Sequence, residues 1–323
     1  MLAVLASLAA SAAAKPLPFS LPTPTPTPTP PSPPPGDLEP VRGVISRVLG
    51  PEFVPAFELS VEPTLCDVGA PHGCFALRPG SGATTSVQVA GSSVSELTAG
   101  VGHYLRTVCN ASLSWQGTGG NRVDQLRLPL PSPPTELHVR RADRWSYYQN
   151  VCTPSFSFVW YSWEQWEAEL DLLALSGVNL VLAYVGQEAI YQKTFRQFGV
   201  ADADIRGQYF SGPAFLAWNR GQDLRGLGGP LPQSWIDSQW RLQRQILGRM
   251  RSLGMTPALP AFQGWVPLAV ARLFPNATIS RVGEAEGWCP TGSMSDRYEC
   301  PAIVDALDCL FGRMQAAFLQ HLT

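Results

Sequence analysis

Apolar and polar positions follow two different periodicities after residue 145. Val178–Tyr184 (VNLVLAY) is a continuous apolar run, which is typical of a strand buried on both faces of a parallel sheet. Before it, Ser162–Gln165 forms a capping-box sequence, which predicts the first turn of a helix that ends at Gly177. One face of this predicted helix carries Trp163, Trp166, Leu170 and Leu173. The pattern therefore predicts a helix followed by a buried strand.

The same pattern of helix and strand occurs again further along the chain. Ser234 is predicted to cap a helix that ends at Gly254, and Met255–Phe262 is predicted to be the strand that follows. The apolar stripe of this helix consists of Ile236, Trp240, Leu247, Met250 and Leu253. With Trp145–Val151 as a first strand, strands and helices alternate, which indicates a parallel α/β sheet. A further helix is predicted near 302–322.

The preceding segment, residues 41–130, combines one helix with short strand-like runs. A second capping box, Ser93–Glu96, predicts a helix that extends to about Thr107. Strands are predicted at Val87–Ala90, Leu113–Trp115 and Gln125–Leu128. We interpret 41–130 as a small α/β domain, which the proline-rich joint 129–134 separates from a second domain at 135–323.

The first 40 residues differ in composition from the rest of the chain. Residues 1–14 are apolar, rich in alanine and end in small residues, which is typical of a secretory signal peptide. Twelve prolines lie between residues 16 and 40, so 15–40 is predicted to be an extended linker. No later apolar run approaches the roughly 20 residues that are needed to span a membrane. We therefore expect no membrane association once the signal peptide is cleaved.

Charge and cysteine content restrict the class of protein. The net charge is −2 and the basic residues are scattered, so nucleic acid is not an expected partner. Seven cysteines and glycosylation sequons at Asn110 and Asn276 favour the secretory pathway, with an extracellular, lysosomal or vacuolar location. The four histidines are too dispersed for a zinc site, and Asp202 and Asp204 are interpreted as a helix start. We expect neither a metal nor a cofactor.

Polar residues follow each of the three predicted strands of the second domain. These segments are Gln149–Cys152, Gly186–Ala189 and Pro260–Trp265. Asn150 can exchange hydrogen bonds with a sugar, or it can bond its own backbone in a turn. Cys152 is a pocket thiol, a small buried hydrophobic residue or a disulfide partner. Glu188 needs partners after a buried strand, and it either contacts a substrate or supports a loop.

Residues 145–191, the segment Gln125–Pro129 and the loop Gly212–Trp218 together resemble the alpha-N-acetylglucosaminidases, glycoside hydrolase family 89. The resemblance covers about Val41–Phe274 and is strongest after the proline-rich joint. It implies that 135–323 is the first part of a (β/α)8 TIM-type barrel. A complete barrel of this kind needs about 250 residues, so the barrel is expected to be truncated here.

The resemblance also implies a function and a site. Members of the family hydrolyse terminal alpha-linked N-acetylglucosamine from glycans with retention and without a cofactor, so a glycan is the implied partner. Asn150, Cys152 as a free thiol, and Trp218 match residues that line the sugar pocket, and Glu188 completes the predicted substrate-binding set. Phe156 stands where the family usually has tyrosine. Trp265 stands where a Gly-His-Val-Pro sequence is common.

Retaining glycosidases place two carboxyl groups roughly 5 Å apart, one as nucleophile and one as acid and base. The two catalytic glutamates of the family match no residue of this chain, and we expect them beyond Thr323. The chain alone is therefore expected to be inactive. The alternative function is that of a noncatalytic secreted glycoprotein that keeps the pocket for glycan binding or interaction.

Overall fold

The computed structural model describes residues 37–67, 72–82, 84–115, 122–220, 224–281 and 302–322. The predicted signal peptide lies outside the described residues, as do residues 15–36 of the predicted linker. No helix within the described ranges is both long and apolar enough to cross a membrane.

The first part of the chain is a four-stranded sheet with two helices. Its elements are α1 (Glu39–Leu49), β1 (Phe57–Val61), β2 (Cys74–Pro79), β3 (Val87–Gly91), α2 (Val94–Thr107) and β4 (Leu137–Arg140). The strand order is β1-β3-β2-β4, in which β1 and β3 are parallel and the other two pairs are antiparallel. A disulfide between Cys66 and Cys74 closes the loop before β2. The predicted α/β character of this part is confirmed.

The second part contains three parallel strands and the helices between them. Its elements are β5 (Tyr147–Tyr148), α3 (Trp163–Leu175), β6 (Leu180–Leu182), α4 (Gln187–Gln197), α5 (Asp202–Asp204), α6 (Leu216–Arg220), α7 (Gln233–Ser252) and β7 (Thr256–Ala258). The strand order is β5-β6-β7, and both pairs are parallel. The predicted parallel sheet is therefore confirmed.

The last part consists of a small antiparallel sheet and two helices. Its elements are β8 (Trp265–Val266), α8 (Ala269–Leu273), β9 (Ile279–Arg281), β10 (Ala302–Val304) and α9 (Cys309–Leu322). The strand order is β8-β10-β9. α9 packs against α4, where the rings of Phe318 and Tyr191 lie 4.8 Å apart between centroids. This part covers the apolar side of α4.

Local sequence signals begin and end the helices of the second part. At the start of α3, Oγ of Ser162 accepts a hydrogen bond from the N–H of Gln165, whose Oε1 accepts from the N–H of Ser162. Gly177 and Gly254 follow α3 and α7 with φ of +78° and +68°, a left-handed conformation that favours glycine. The predicted capping box of α3 and the predicted helix ends at Gly177 and Gly254 are confirmed.

The three parallel strands are shorter than the apolar pattern predicted. Val178–Tyr184 is a strand only at Leu180–Leu182, because strand pairing ends where the chain turns toward α4. In the same way Trp145–Val151 pairs only at residues 147–148, and Met255–Phe262 only at residues 256–258. The helix predicted near 302–322 begins at Cys309, because residues 302–304 pair as β10.

Three further predictions from the sequence were wrong. Leu113–Trp115 is not a strand, and the indole N–H of Trp115 donates to Glu169 instead. Gln125–Leu128 is not a strand, because residues 123–125 form a turn of 3₁₀ helix. Ser234 lies inside the first turn of α7 and does not cap it.

The second capping box is only half formed. Oγ of Ser93 accepts from the N–H of Glu96, as predicted for the start of α2. The carboxylate of Glu96, however, pairs with the Arg141 guanidinium, which also donates to the carbonyl of Gly177. The expected bond back to the Ser93 backbone is therefore replaced by a contact between the two parts of the chain.

The first and second parts of the chain share one hydrophobic core. α2 packs closely on α3, and a Cβ atom at Gly102 would lie only 1.8 Å from the carbonyl oxygen of Leu175, so no other residue fits there. Trp166 of α3 is buried in the same cluster as Tyr104 of α2 and Met250 of α7. The parallel strands are thus fixed to the four-stranded sheet through packed helices.

A buried carboxylate joins three helices within this core. Asp171 of α3 is 1% exposed and accepts hydrogen bonds from Nε and Nη2 of Arg47 of α1. It also accepts from Nη2 of Arg249 of α7, at 2.7 Å. Two arginines therefore neutralise one buried charge, and the pair Arg47–Asp171 spans 124 residues of sequence.

Replacing Asp171 with asparagine is expected to destabilise the fold strongly. Asp171→Asn leaves the guanidinium of Arg249, whose side chain is 10% exposed, without its opposite charge. Loss of one partner of a buried pair costs about 3 kcal/mol in the free energy of unfolding. Urea unfolding measured by circular dichroism gives this difference.

Glu167→Gln is the matched control, because Glu167 faces the same Arg47 at 3.4 Å but is partly exposed. A pair of this kind contributes at most about 1 kcal/mol. Equal losses of stability in the two variants would contradict the assignment of Asp171 as the central charge.

Candidate functional site

The polar segments that follow the three parallel strands lie at one edge of the sheet. Because β5, β6 and β7 are parallel neighbours, their carboxyl ends point the same way. Asn150 follows β5, Glu188 follows β6, and Gln263 follows β7. This edge is where α/β folds of this class place a ligand.

The turn after β5 is held by Asn150. Its Oδ1 accepts a hydrogen bond from the N–H of Cys152 at 2.7 Å, and its carbonyl accepts from Oγ1 of Thr153 at 2.7 Å. The side chain is exposed, and its Nδ2 has no hydrogen-bond partner among the described residues. The turn interpretation of Asn150 is therefore confirmed for the oxygen, and the amide nitrogen remains available to a ligand.

Cys152 is a free thiol on this turn. It is half-buried and forms no disulfide. Cys109 and Cys309 are also free, so the one disulfide within the described residues is Cys66–Cys74. The interpretation of Cys152 as a disulfide partner is wrong, and its contact with a sugar stays a prediction.

Trp218 is brought to the same turn by two contacts. Oγ of Ser155, which is buried, accepts a hydrogen bond from the N–H of Ala217 at 2.7 Å. The next residues in the two segments, Phe156 and Trp218, pack their rings edge to face, with 6.1 Å between centroids. The structure thus joins the segment of Asn150 and Cys152 to the helix of Trp218.

Glu188 is buried and fully paired. Its two carboxylate oxygens accept from Nε and Nη2 of Arg220, each at 2.9 Å. The side chains of Glu188 and Arg220 are 3% and 12% exposed. This geometry favours the interpretation of Glu188 as a support for the loop, because both oxygens are occupied by an arginine from α6.

The loop before α6 is fixed by close backbone contacts. Nδ2 of the buried Asn219 donates to the carbonyls of Tyr209 and Leu224, at 2.8 and 2.9 Å. A Cβ atom at Gly212 would lie 2.3 Å from the carbonyl oxygen of Gly228, so only glycine fits there. The segment 212–218, which carries part of the family resemblance, is therefore rigidly positioned.

Two buried tyrosines lie beneath this loop. Burial raises the pKa of Tyr191, and the nearby Glu188 carboxylate raises it further. Burial likewise raises the pKa of Tyr209 well above its ordinary value. Both phenols stay protonated and act as donors, Tyr191 to the carbonyl of Ala261 and Tyr209 to the carbonyl of Trp265.

Sequence reasoning missed Ser155 and Arg220. A buried glutamate directly after a strand requires a cation nearby, so the charge of Glu188 is a signal for a partner such as Arg220. Nothing in the local sequence identifies which of the many arginines it is. Ser155 carries no signal, because a single hydroxyl in a turn is common.

The remaining predicted residues lie away from this edge. Asn110 and Asn276 are both exposed, so glycosylation at each stays a prediction. Asp202 and Asp204 lie in the first turn of α5, so the helix start predicted there is confirmed, and Asp202 also pairs with Arg196. Within the described residues, no group of three or more His, Cys, Asp or Glu side chains is arranged to hold a metal ion.

A parallel α/β unit whose strands end in polar residues is the arrangement found in α/β proteins, which bind ligands at the carboxyl ends of their strands. The profile of the Alpha-N-acetylglucosaminidase (NAGLU) N-terminal domain matches residues 39–132, and that of the NAGLU TIM-barrel domain matches residues 146–323. The chain belongs to the alpha-N-acetylglucosaminidase family. The family and the fold class inferred from the sequence are confirmed.

Related proteins extend well beyond this chain. Human alpha-N-acetylglucosaminidase is 42% identical over 284 residues, which are 87% of this chain and 36% of the human protein. A family 89 glycoside hydrolase from Clostridium perfringens, in complex with 2-acetamido-1,2-dideoxynojirmycin, superposes with a TM-score of 0.77 at 28% identity. The match covers 88% of this chain and 31% of that one. The chain spans about a third of the length of these relatives.

The pair Glu188–Arg220 is expected to be more important for stability than an exposed pair of the same geometry. Glu188→Gln leaves a buried guanidinium without a charged partner, which costs about 3 kcal/mol in the free energy of unfolding. Chemical denaturation followed by tryptophan fluorescence measures this loss.

Asp202→Asn provides the matched control. Asp202 also receives two hydrogen bonds from one arginine, Arg196, but their side chains are 41% and 45% exposed. Such a pair contributes about 0–1 kcal/mol. The interpretation fails if the two substitutions lower stability by the same amount.

Proposed function

We propose that this chain forms part of the sugar-binding site of a glycoside hydrolase that removes terminal alpha-linked N-acetylglucosamine from glycans with retention. The observation that carries this proposal is the Ser155–Ala217 hydrogen bond with the Phe156–Trp218 contact, which joins the Asn150 turn to an indole. The relatives support it, since a Clostridium perfringens relative was solved with its substrate GlcNAc-alpha-1,4-galactose.

Each residue of the site has a distinct proposed role. The half-buried indole of Trp218 stacks on the apolar face of the sugar, while the Phe156 ring packs perpendicular to the indole. Nδ2 of Asn150 donates to a sugar hydroxyl or to the acetamido oxygen. The thiol of Cys152 lines the pocket beside it. Glu188 acts through Arg220 to hold α6.

The catalytic carboxyl pair is proposed to lie outside these three strand ends. Retention needs two carboxyl groups roughly 5 Å apart. Among the described residues directly after β5, β6 and β7, the carboxylate present is that of Glu188, and Arg220 occupies both of its oxygens. The substrate complex of the clostridial relative carries two glutamate-to-glutamine substitutions, which supports a glutamate pair in the family.

The organisation and location proposed from the sequence agree with this function. We assign 1–14 to a signal peptide, 15–40 to a linker, 41–130 to the small α/β domain and 135–323 to the barrel part. The Cys66–Cys74 disulfide supports a secretory location, extracellular or lysosomal, because such bonds persist in oxidising compartments.

The second candidate is a noncatalytic glycan-binding glycoprotein. The complete pairing of Glu188 favours it, because a paired carboxylate at the strand ends can support a pocket without reacting. Sequencing the transcript past the codon for Thr323 separates the two candidates. An in-frame continuation with further strands that end in glutamates favours the hydrolase, and a stop codon favours the binding protein.

Trp218→Ala is expected to weaken binding of methyl alpha-N-acetylglucosaminide about tenfold, which corresponds to about 1.4 kcal/mol. The reason is the loss of the stacking surface. Titration followed by ligand-observed NMR measures the dissociation constant. Trp145→Ala is the control, since Trp145 is 44% exposed and lies before β5. Unchanged affinity in the Trp218 variant, or an equal loss in both, contradicts the proposed pocket.

The 323-residue chain alone is expected to release no aryl product from an aryl alpha-N-acetylglucosaminide. Without two adjacent carboxyl groups, neither the glycosyl-enzyme bond nor leaving-group protonation can occur. The measurement is nitrophenol absorbance against a buffer blank, with the human relative as the positive control. Measurable turnover, retained after purification to homogeneity, would place the catalytic pair inside this chain.

A further inference from the structure

A small cavity lined by polar and aromatic side chains lies beneath α6, at the carboxyl end of β6. Its water-accessible volume is about 20 Å³, and its walls include Gln187, Glu188, Tyr191, Tyr209 and Arg220. A single water molecule needs roughly 10–15 Å³ measured in this way. The cavity therefore accommodates one water-sized occupant and nothing as large as a sugar.

Two residues of the cavity walls each carry a buried donor that has no hydrogen-bond partner among the residues that the structure describes. Nε2 of Gln187 is buried in a residue that is 4% exposed, and Nη1 of Arg220 is buried beside the two nitrogens that bind Glu188. Buried polar groups in folded proteins are almost always hydrogen-bonded. Both orphan groups are N–H donors, so the occupant that satisfies them must be a hydrogen-bond acceptor.

The charges around the cavity favour a neutral acceptor over an anion. The positive charge of Arg220 is already neutralised by Glu188, whose carboxylate also lines the cavity and would repel a halide ion. A water molecule can accept from Gln187 and Arg220 and can donate in turn. The phenolic oxygen of Tyr209 is a suitable acceptor, because its own hydrogen goes to a backbone carbonyl.

We propose that this cavity is a built-in site for one ordered water molecule, which Gln187 Nε2 and Arg220 Nη1 bind together and which holds the helix of Trp218 on the end of β6. α6 is then held at three points: by Glu188, by the water and by Ser155. Its effect on sugar binding rests on the proposed function, whereas the water site itself does not.

A crystal structure of the 323-residue chain tests the site directly. The expected result is a density peak within hydrogen-bond distance, about 2.7–3.2 Å, of both Gln187 Nε2 and Arg220 Nη1. An anomalous peak at this position in crystals soaked with sodium bromide would assign a halide and overturn the proposal. Absence of a peak at this position would also overturn it.

Gln187→Leu tests the consequence for α6. Leucine removes the donor at similar size, so the melting temperature is expected to fall by several degrees, and any affinity for methyl alpha-N-acetylglucosaminide to fall threefold or more. Gln245→Leu is the control, because Gln245 is an exposed glutamine of α7. Equal melting temperatures in the two variants would overturn the proposal.

If the unaltered chain binds no sugar, the proposed function fails. The density and the melting temperatures still decide whether the water site exists.

Discussion

The ion pair between Glu188 and Arg220 determines the arrangement of the candidate site. A carboxylate at the end of a buried strand needs a charged or hydrogen-bonding partner, because the loss of hydration costs several kcal/mol. Arg220 comes from α6, 32 residues further along the chain, and both of its bonds to Glu188 are 2.9 Å long. Pairing therefore brings α6 over the end of β6. Trp218 lies two residues before Arg220 on α6, so its position follows from an electrostatic requirement.

This pairing is useful only because the strand ends themselves are held in place. Asp171 binds arginines from α1 and α7, and Gly102 lets α2 approach the end of α3 at backbone distance. These contacts fix α3, and α3 lies between β5 and β6 in the chain. The turn that carries Asn150 thus begins from a rigid strand. A pocket assembled from two separate segments requires this rigidity, since small displacements at either segment weaken ligand contacts.

The sequence predicted what depends on neighbouring residues. The capping box at Ser162 and the left-handed glycines at 177 and 254 are local signals, and all three occur in the structure. Strand lengths and long-range pairs were not predictable, because they depend on residues that are distant in sequence. Trp115 illustrates this: its segment has an extended, apolar pattern, but its indole donates to the buried Glu169, 54 residues away. The site residues Asn150, Cys152 and Trp218 were named through the family resemblance, and their contact with a sugar stays a prediction.

Asn150 shows why a structural and a functional interpretation of one residue need not compete. Its side-chain oxygen closes the turn after β5 by accepting from the N–H of Cys152. Its amide nitrogen is exposed to solvent and has no hydrogen-bond partner among the described residues. Because the oxygen of this planar amide is fixed, the direction of its nitrogen is fixed as well. A ligand that accepts a hydrogen bond from the nitrogen therefore binds a donor that loses little conformational freedom on binding. The same reasoning applies to Trp218, whose ring is constrained by Phe156 at its edge and by Arg220 two residues later. The residues proposed to shape the sugar pocket are thus held by contacts within the fold itself.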